Sequence, residues 1–383
     1  MEFADRPATR LATRLAFLVA GFGIACWAPL VPFARDRLAV DEGTLGLLLL
    51  CIGLGSVLAM LATGALTARH GSKPVIVASG IGVALVLPLL TIAATPLALG
   101  LALFAFGASL GSLDVAMNVH AVEVERAAGR PLMSGFHALF SVGGFAGSMF
   151  MTFLLSLHLD AFESTVLCSA LMLVAMWVAR PRLLRAAQAQ RGPLFVTPRG
   201  IVLLIAGLTG IAFLAEGALL DWSALLITGK GIVAAAQGGV GYMLFAIAMT
   251  AGRLTGDAVT ARIGDRATLI WGGVVAASGF VVLLASPFAA LALAGFLLIG
   301  LGAANIVPVL FRRAGAQQVM PAALAIAAIT TTGYAGILVG PAGVGFVAKA
   351  LGLETAFWML LGLLCIVPCC AALVTAAPER RVR

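Results

Sequence analysis

The sequence predicts an all-α integral membrane protein of twelve transmembrane helices, built as two six-helix bundles in a parallel, pseudo-symmetric repeat. Three observations predict this fold class. They are an extreme composition, twelve apolar runs of membrane-spanning length, and a ten-residue match that recurs half a chain apart.

Of the 383 residues, 62% are hydrophobic and 10% are charged, and the mean hydropathy is +1.11. Soluble domains are about half apolar and about a quarter charged, so this chain belongs in a bilayer. The 45 glycines suit helices that pack closely in lipid. The net charge of +8 does not indicate nucleic acid, because no basic cluster has interleaved aromatics. Cys26, Cys51, Cys168, Cys365, Cys369 and Cys370 all lie inside apolar runs without His or Asp at ligand spacing. They read as small buried hydrophobes, and no metal is expected.

A membrane helix needs about 20 apolar residues. Runs of that kind fall near 12–34, 44–67, 75–94, 97–120, 133–157, 162–180, 200–228, 237–260, 268–286, 288–311, 322–349 and 352–375. Short alternating segments are missing, which excludes a β-barrel. The first run follows basic residues, as a signal peptide would, but it continues through Trp27 to Phe33 without a small-residue cleavage site. It reads as a retained first helix.

Lys and Arg set the topology. With the N-terminus inside, the outer loops carry only Arg35, Arg37, Lys230 and Lys349, and Arg253 lies within the eighth run. All the other basic residues fall on the inner side, so both termini are expected in the cytoplasm of a bacterial-type inner membrane. The longest polar connection, "ARPRLLRAAQAQRGPLFVTPRG", divides the runs six and six. Its position predicts bundles over 1–180 and 200–383 joined by a linker at 181–199.

The repeat supports the division. "GALTARHGSK" (64–73) matches "DAVTARIGDR" (257–266) at an offset of 193 residues. The same offset pairs Gly46 with Gly239, Gly80 with Gly273, Gly107 with Gly300, Gly143 with Gly336, and Gly147 with Gly340. The Gly143/Gly147 and Gly336/Gly340 pairs, one turn apart, read as close-packing faces.

These features resemble the major facilitator superfamily. Its signature between helices 2 and 3 is Gly-x-Leu-Ala-Asp-Arg-x-Gly-Arg-Lys. Gly64, Leu66, Arg69, Gly71 and Lys73 are in register, while Ala68 replaces the acid. The second copy supplies Arg253, Asp257, Arg262, Gly264 and Arg266. The resemblance implies that such loops help hold the cytoplasmic side closed, and that a substrate site lies near the midplane. The stretches "LDVAMNVHAVEVERAAGRPLMSGFHALFSVGGFAGS", "EGALLDWSALL", "GYMLFAIAMTAGRLTGD" and "GYAGILVGPAGVGFVAKALG" are similar to the fucose-permease-like branch and its uncharacterised inner-membrane relatives.

Charged residues inside a bilayer are functional candidates by default. Asp114 in the fourth run and Glu216 and Asp221 in the seventh qualify. Asp114 and Asn118 are four apart and share a helix face, a pairing that suits a polar or polyhydroxylated solute. The resemblance ties an acid followed by Asn at this place to proton and sugar handling. Asp114 and Glu216 are the expected proton-coupling acids. Asp114, Asn118, Glu216, Trp27 and Asn305 are the expected substrate-binding groups, and Asp221 is read as an outer-gate or capping group. Arg253 is placed near the cytoplasmic end of its helix, out of reach of Glu216 and one turn from Asp257. His137 is read as a helix-end hydrogen-bonding group, and His120, about 240° round the helix from Asp114, as facing elsewhere.

No phosphate-cradling Gly-Lys-Ser/Thr loop and no catalytic constellation occurs, so an enzyme is not expected. The expected function is secondary transport of a small polar solute, for instance a sugar, by proton-coupled alternating access. The proton gradient is the energy source and there is no cofactor. Solute and lipid bilayer are the expected partners, nucleic acid is not, and the chain is expected to be monomeric. Proton-linked export of amphipathic drugs or antibiotics is the alternative, and a non-transporting sensor a third reading.

Overall fold

The computed structural model describes residues 7–40, 42–184, 197–233 and 239–376. Most of the expected linker 181–199 lies outside the described residues. So do Arg6 and the arginines of the C-terminal tail.

Proline, glycine and capping residues set the helix boundaries. The helix that carries Asp114, α5 (Pro96–Ala128), starts where Thr95 accepts a hydrogen bond from the Ala98 N–H at 3.2 Å. Pro96 at its first position needs no intrahelical partner. It stops at Gly129, whose φ of 63° is left-handed, a conformation that side chains with a Cβ disfavour. Its 33 residues run two turns past the fourth apolar run, through the amphipathic "AVEVERAA".

The other helices are α1 (Pro7–Trp27), α2 (Val31–Leu38), α3 (Glu42–His70), α4 (Ser72–Ile92), α6 (Met133–Ser156), α7 (Ala161–Ala179), α8 (Ile201–Gly229), α9 (Val240–Ala285), α10 (Ala289–Ala303), α11 (Ile306–Ala316), α12 (Ala322–Leu351), α13 (Leu353–Leu364) and α14 (Ile366–Thr375). Among the described residues, eleven stretches are long and apolar enough to cross a membrane. One of them, α9, has 46 residues and breaks at Gly264, where φ is 79° and ψ 165°. At 1.5 Å per residue it is twice as long as a bilayer is thick, so it makes two crossings and the total is twelve.

Two crossings are split. The tenth breaks between α10 and α11 at Asn305, and the twelfth between α13 and α14 at Cys365. Each break precedes a proline by three residues, Pro308 and Pro368. The proline ring clashes with the carbonyl four residues back, Ala304 or Leu364.

The chain forms two compact units, Met1–Gly129 with Phe136–Val196 and Arg130–Gly135 with Thr197–Arg383. In the first unit α3 and α4 pack on α5, and α1 and α4 pack on α7. In the second, α9 packs on α10 and α8 on α12. Large apolar side chains such as Leu47, Leu97, Trp177 and Phe346 are two-thirds or more exposed, a pattern that suits lipid and not water.

The repeat is visible as equivalent backbone contacts. A Cβ on Gly107 would overlap the carbonyl of Ile52, and one on Gly300 the carbonyl of Phe245. Both members of each pair are 193 residues from their counterparts. Gly143 and Gly147 press on Leu18 and Phe22 of α1 in the same way. Gly336 and Gly340 approach Gly210 and Leu214 of α8, where the offset is 192. On that register Glu216 corresponds to Ile24, a shift of one from the Gly23 that a constant offset gives.

Candidate functional site

In the first unit Asp114 sits 14 residues before the end of α5. Asn118 Nδ2 donates to the Asp114 carboxylate at 3.2 Å and to the Asp114 backbone carbonyl at 2.9 Å. Both donations fix the amide so that Oδ1 points away from Asp114. The contact between that oxygen and His137 Nε2, at 3.2 Å, then has the imidazole as donor. The result is a directed chain, His137 to Asn118 to Asp114. Asn118 is fully buried, while Asp114 and His137 are half-buried. Among the described residues no cation pairs with Asp114.

The hydrogen bond expected of His137 near the start of α6 is made to Asn118 of the neighbouring helix. His137 lies one turn into α6, and its ring stands 5.3 Å from that of Phe17. The spacing of Asp114 and Asn118 was readable within one helix. The position of His137 depends on how deep α6 sits beside α5, which no local pattern encodes.

His120 does face elsewhere. Its Nε2 accepts the Leu184 N–H at 3.0 Å, so its proton is on Nδ1, which contacts Thr13 Oγ1 at 3.1 Å. Thr13 passes its own proton to the Thr9 carbonyl at 3.0 Å. This fully buried, fully bonded imidazole ties α5 to α1 and to Leu184, five residues beyond the end of α7.

In the second unit Glu216 and Arg253 form an ion pair, with Oε2 3.8 Å from Nη2. This overturns the expectation that the two are out of reach. The arginine-bearing half of α9 continues to Ile263, ten residues past Arg253, or ~15 Å of helix. Arg253 is therefore deep in the bundle and at the level of Glu216, which lies midway along α8. Arg253 is buried, and the Glu216 side chain is 29% exposed. Tyr242 lies within electrostatic reach of Glu216, Arg253 and Asp221. Asp221 itself is exposed.

Asn305, at the break in the tenth crossing, donates to the Gly252 carbonyl at 3.2 Å. Its Oδ1, lodged against Gly256, has no partner, and neither has the indole N–H of Trp27. Trp27 is 4% exposed, so its ring faces no open surface in this conformation.

The signature loops superpose in backbone form. Gly71 (φ 79°, ψ 167°) and Gly264 (φ 79°, ψ 165°) share one glycine-only conformation, 193 residues apart. Gly64 is buried, Lys73 half-buried, and Arg69 and Arg262 exposed. Asp257 accepts the backbone N–H groups of Ser134 at 3.0 Å and Gly135 at 2.8 Å. It thereby caps the first turn of α6, and residues 130–135 group with the unit that contains Asp257.

Paired glycine contacts, repeated loop torsions and charged groups within apolar helices mark a multi-pass membrane transporter with an internal repeat. The sequence profile of the Major Facilitator Superfamily matches residues 14–315, and the chain belongs to that superfamily. It is 48% identical over 367 residues to an uncharacterised MFS-type transporter of Yersinia pestis, covering 96% of each chain. It is 31% identical over 363 residues to the membrane protein MosC of Rhizobium meliloti, covering 94% of this chain and 89% of MosC. Among solved structures, the Escherichia coli fucose:proton symporter FucP aligns with a TM-score of 0.78 over 98% of this chain and 100% of its own. At 14% identity that likeness is one of fold.

Proposed function

We propose that this transporter moves a small polar solute, a sugar or related polyhydroxylated compound, across the cytoplasmic membrane by proton-coupled alternating access. In this reading both termini face the cytoplasm, the protein acts as a monomer, and the proton gradient is the energy source.

The observation that carries the reading is the directed chain from His137 through Asn118 to Asp114. An ionised carboxylate with no cation is costly inside a bilayer. Asp114 has one neutral partner, so a proton that binds and leaves as the surroundings dry and wet completes its cycle. Asn118, with both polar ends engaged, orients the carboxylate and meets the solute only by exchanging one of these bonds. Glu216 is the counter-case. Arg253 pairs with it, so it lines the solute path as one half of an ion pair and Asp114 alone couples. The unpartnered Asn305 Oδ1 and the Trp27 indole N–H are polar groups of the kind a hydroxylated solute satisfies. Asp257, which holds the backbone of Ser134 and Gly135, keeps its reading as a signature-loop group.

The test is uptake into proteoliposomes under an imposed proton gradient, with a panel of sugars, sugar acids and amphipathic drugs. The expected result is uptake of a panel sugar that stops with a protonophore and in Asp114→Asn. Flux of amphipathic drugs alone, or sugar uptake indifferent to Asp114→Asn, overturns the reading. A compound that binds but is never moved points to a sensor.

A further inference from the structure

A second site is built where α9 turns at Gly264. A cleft of about 380 Å³ opens there, lined by Ile263, Asp265, Arg266, Arg313, Ala372 and Ala376 among others. This volume is at the lower end of small-ligand sites. The charges within it are already sorted. Arg312 Nη1 binds Asp265 Oδ1, and Arg313 Nη1 stands 3.9 Å from the other carboxylate oxygen. Arg313 also donates from Nε to the Val374 carbonyl at 3.1 Å and from Nη2 to the Ala376 carbonyl at 2.9 Å. It thus holds the carbonyl end of α14, where a cation opposes the helix dipole.

Arg266 is left over. It is exposed, and among the described residues it has no polar partner, and the same holds for its neighbour Arg262. Among the described residues, Arg312 and Arg313 contact Asp265 and Arg266 lines the same cleft, so three arginines stand against one carboxylate and the local field favours an anion. The walls are not those of a site for a free ion. Ile263 is 47% exposed, and Leu373, beside Ala372, is 63% exposed. These apolar groups continue the lipid-facing surface up to the rim of the cleft.

We propose that the cleft binds the phosphate of an anionic membrane phospholipid. Arg266 takes the phosphate oxygens, Arg313 supplies the field behind them, and the acyl chains run along the apolar surface beside Ile263. Basic pockets at helix ends hold such headgroups by the same combination of charge and apolar wall. The site shares no residue with the proposed solute path and does not depend on the transport reading.

The experiment uses the full-length protein in detergent, with melting temperature and native mass spectrometry as readouts. Phosphatidylglycerol, phosphatidylcholine and inorganic phosphate are titrated separately. The expected result is a rise of several degrees, with one retained lipid, for phosphatidylglycerol alone. Arg266→Gln cuts the rise to less than half, and Arg262→Gln, outside the cleft, keeps it. Both side chains are exposed, so both variants fold. The proposal is overturned by any of four results: an unchanged rise in Arg266→Gln, an equal loss in Arg262→Gln, an equal rise with phosphatidylcholine, or reproduction by inorganic phosphate.

Discussion

The two six-helix units share a scaffold and differ in chemistry. Gly107 on Ile52 recurs as Gly300 on Phe245, and the torsions of Gly71 recur at Gly264. The intramembrane charges do not recur. At the 193-residue offset Asp114 corresponds to Val307 and Arg253 to Met60, and on the 192-residue register of α1 and α8 Glu216 corresponds to Ile24. Val307 and Met60 are buried apolar residues. The first unit therefore holds an acid with a neutral amide and an imidazole donor, and the second holds an acid with a guanidinium. The close glycine contacts are common to both units, whereas each arrangement of charges belongs to one unit alone.

If that division is right, the two acids respond differently to neutralisation. Asp114→Asn is expected to lower proton-driven uptake at least ~100-fold, equivalent to about 2.7 kcal/mol of barrier. Solute exchange without a gradient is expected to persist. Glu216→Gln is expected to keep the response to a proton gradient while weakening solute affinity. Parallel flux measurements, with and without the gradient, check both. Loss of coupling in Glu216→Gln with retention in Asp114→Asn reverses the assignment.

An effect of comparable size concerns stability in the second unit. Removing one member of a buried ion pair costs about 3–5 kcal/mol, because the remaining charge stays buried. Glu216 keeps some exposure, which brings the expected loss for Glu216→Gln to the lower end, about 3 kcal/mol. Arg253 is then the charge left behind. The double variant Glu216→Gln/Arg253→Met is expected to recover most of the loss. A thermal melt of the two variants decides it. If the double variant is worse than the single one, Arg253 is held by groups other than Glu216.

The glycines test the shared half of the comparison. Gly107→Ala and Gly300→Ala each push a methyl into a backbone carbonyl, which cannot rotate away. Overpacking of this kind costs about 1–3 kcal/mol. The two variants are expected to lower the melting temperature by similar amounts, with no change in the proton dependence of transport. A large asymmetry between them means that the two units do not carry equal packing loads.

These contrasts also mark what the sequence made readable. Helix number, the turn at Gly264 and the paired glycine faces follow from apolar runs, Gly and the repeat, all of which are local or periodic. The splits at Asn305 and Cys365 have a local signal in Pro308 and Pro368, yet Pro88 lies inside α4 without breaking it. A proline therefore marks a candidate break and does not fix one. Asp114 and Asn118 are readable because both lie on one helix. Arg253 with Glu216, and His137 with Asn118, join different helices, and each contact depends on relative depth. For Arg253 the depth was recoverable, because the helix must run on to the glycine turn.

The smallest effect is the most diagnostic for the first unit. His137→Leu removes the donor to Asn118 Oδ1 but leaves the amide bonded to Asp114. One neutral hydrogen bond is worth about 1 kcal/mol, so a loss of ~5-fold in uptake is expected. His137→Gln, which keeps a donor, is expected to restore most of it. Both variants should retain the proton dependence of the native protein, because in this arrangement the imidazole only steadies the amide that steadies the acid. If His137→Leu instead abolishes coupling as fully as Asp114→Asn, and Gln does not rescue it, the proton travels through the imidazole. The coupling group is then the whole chain from α6 to α5, and not Asp114 alone.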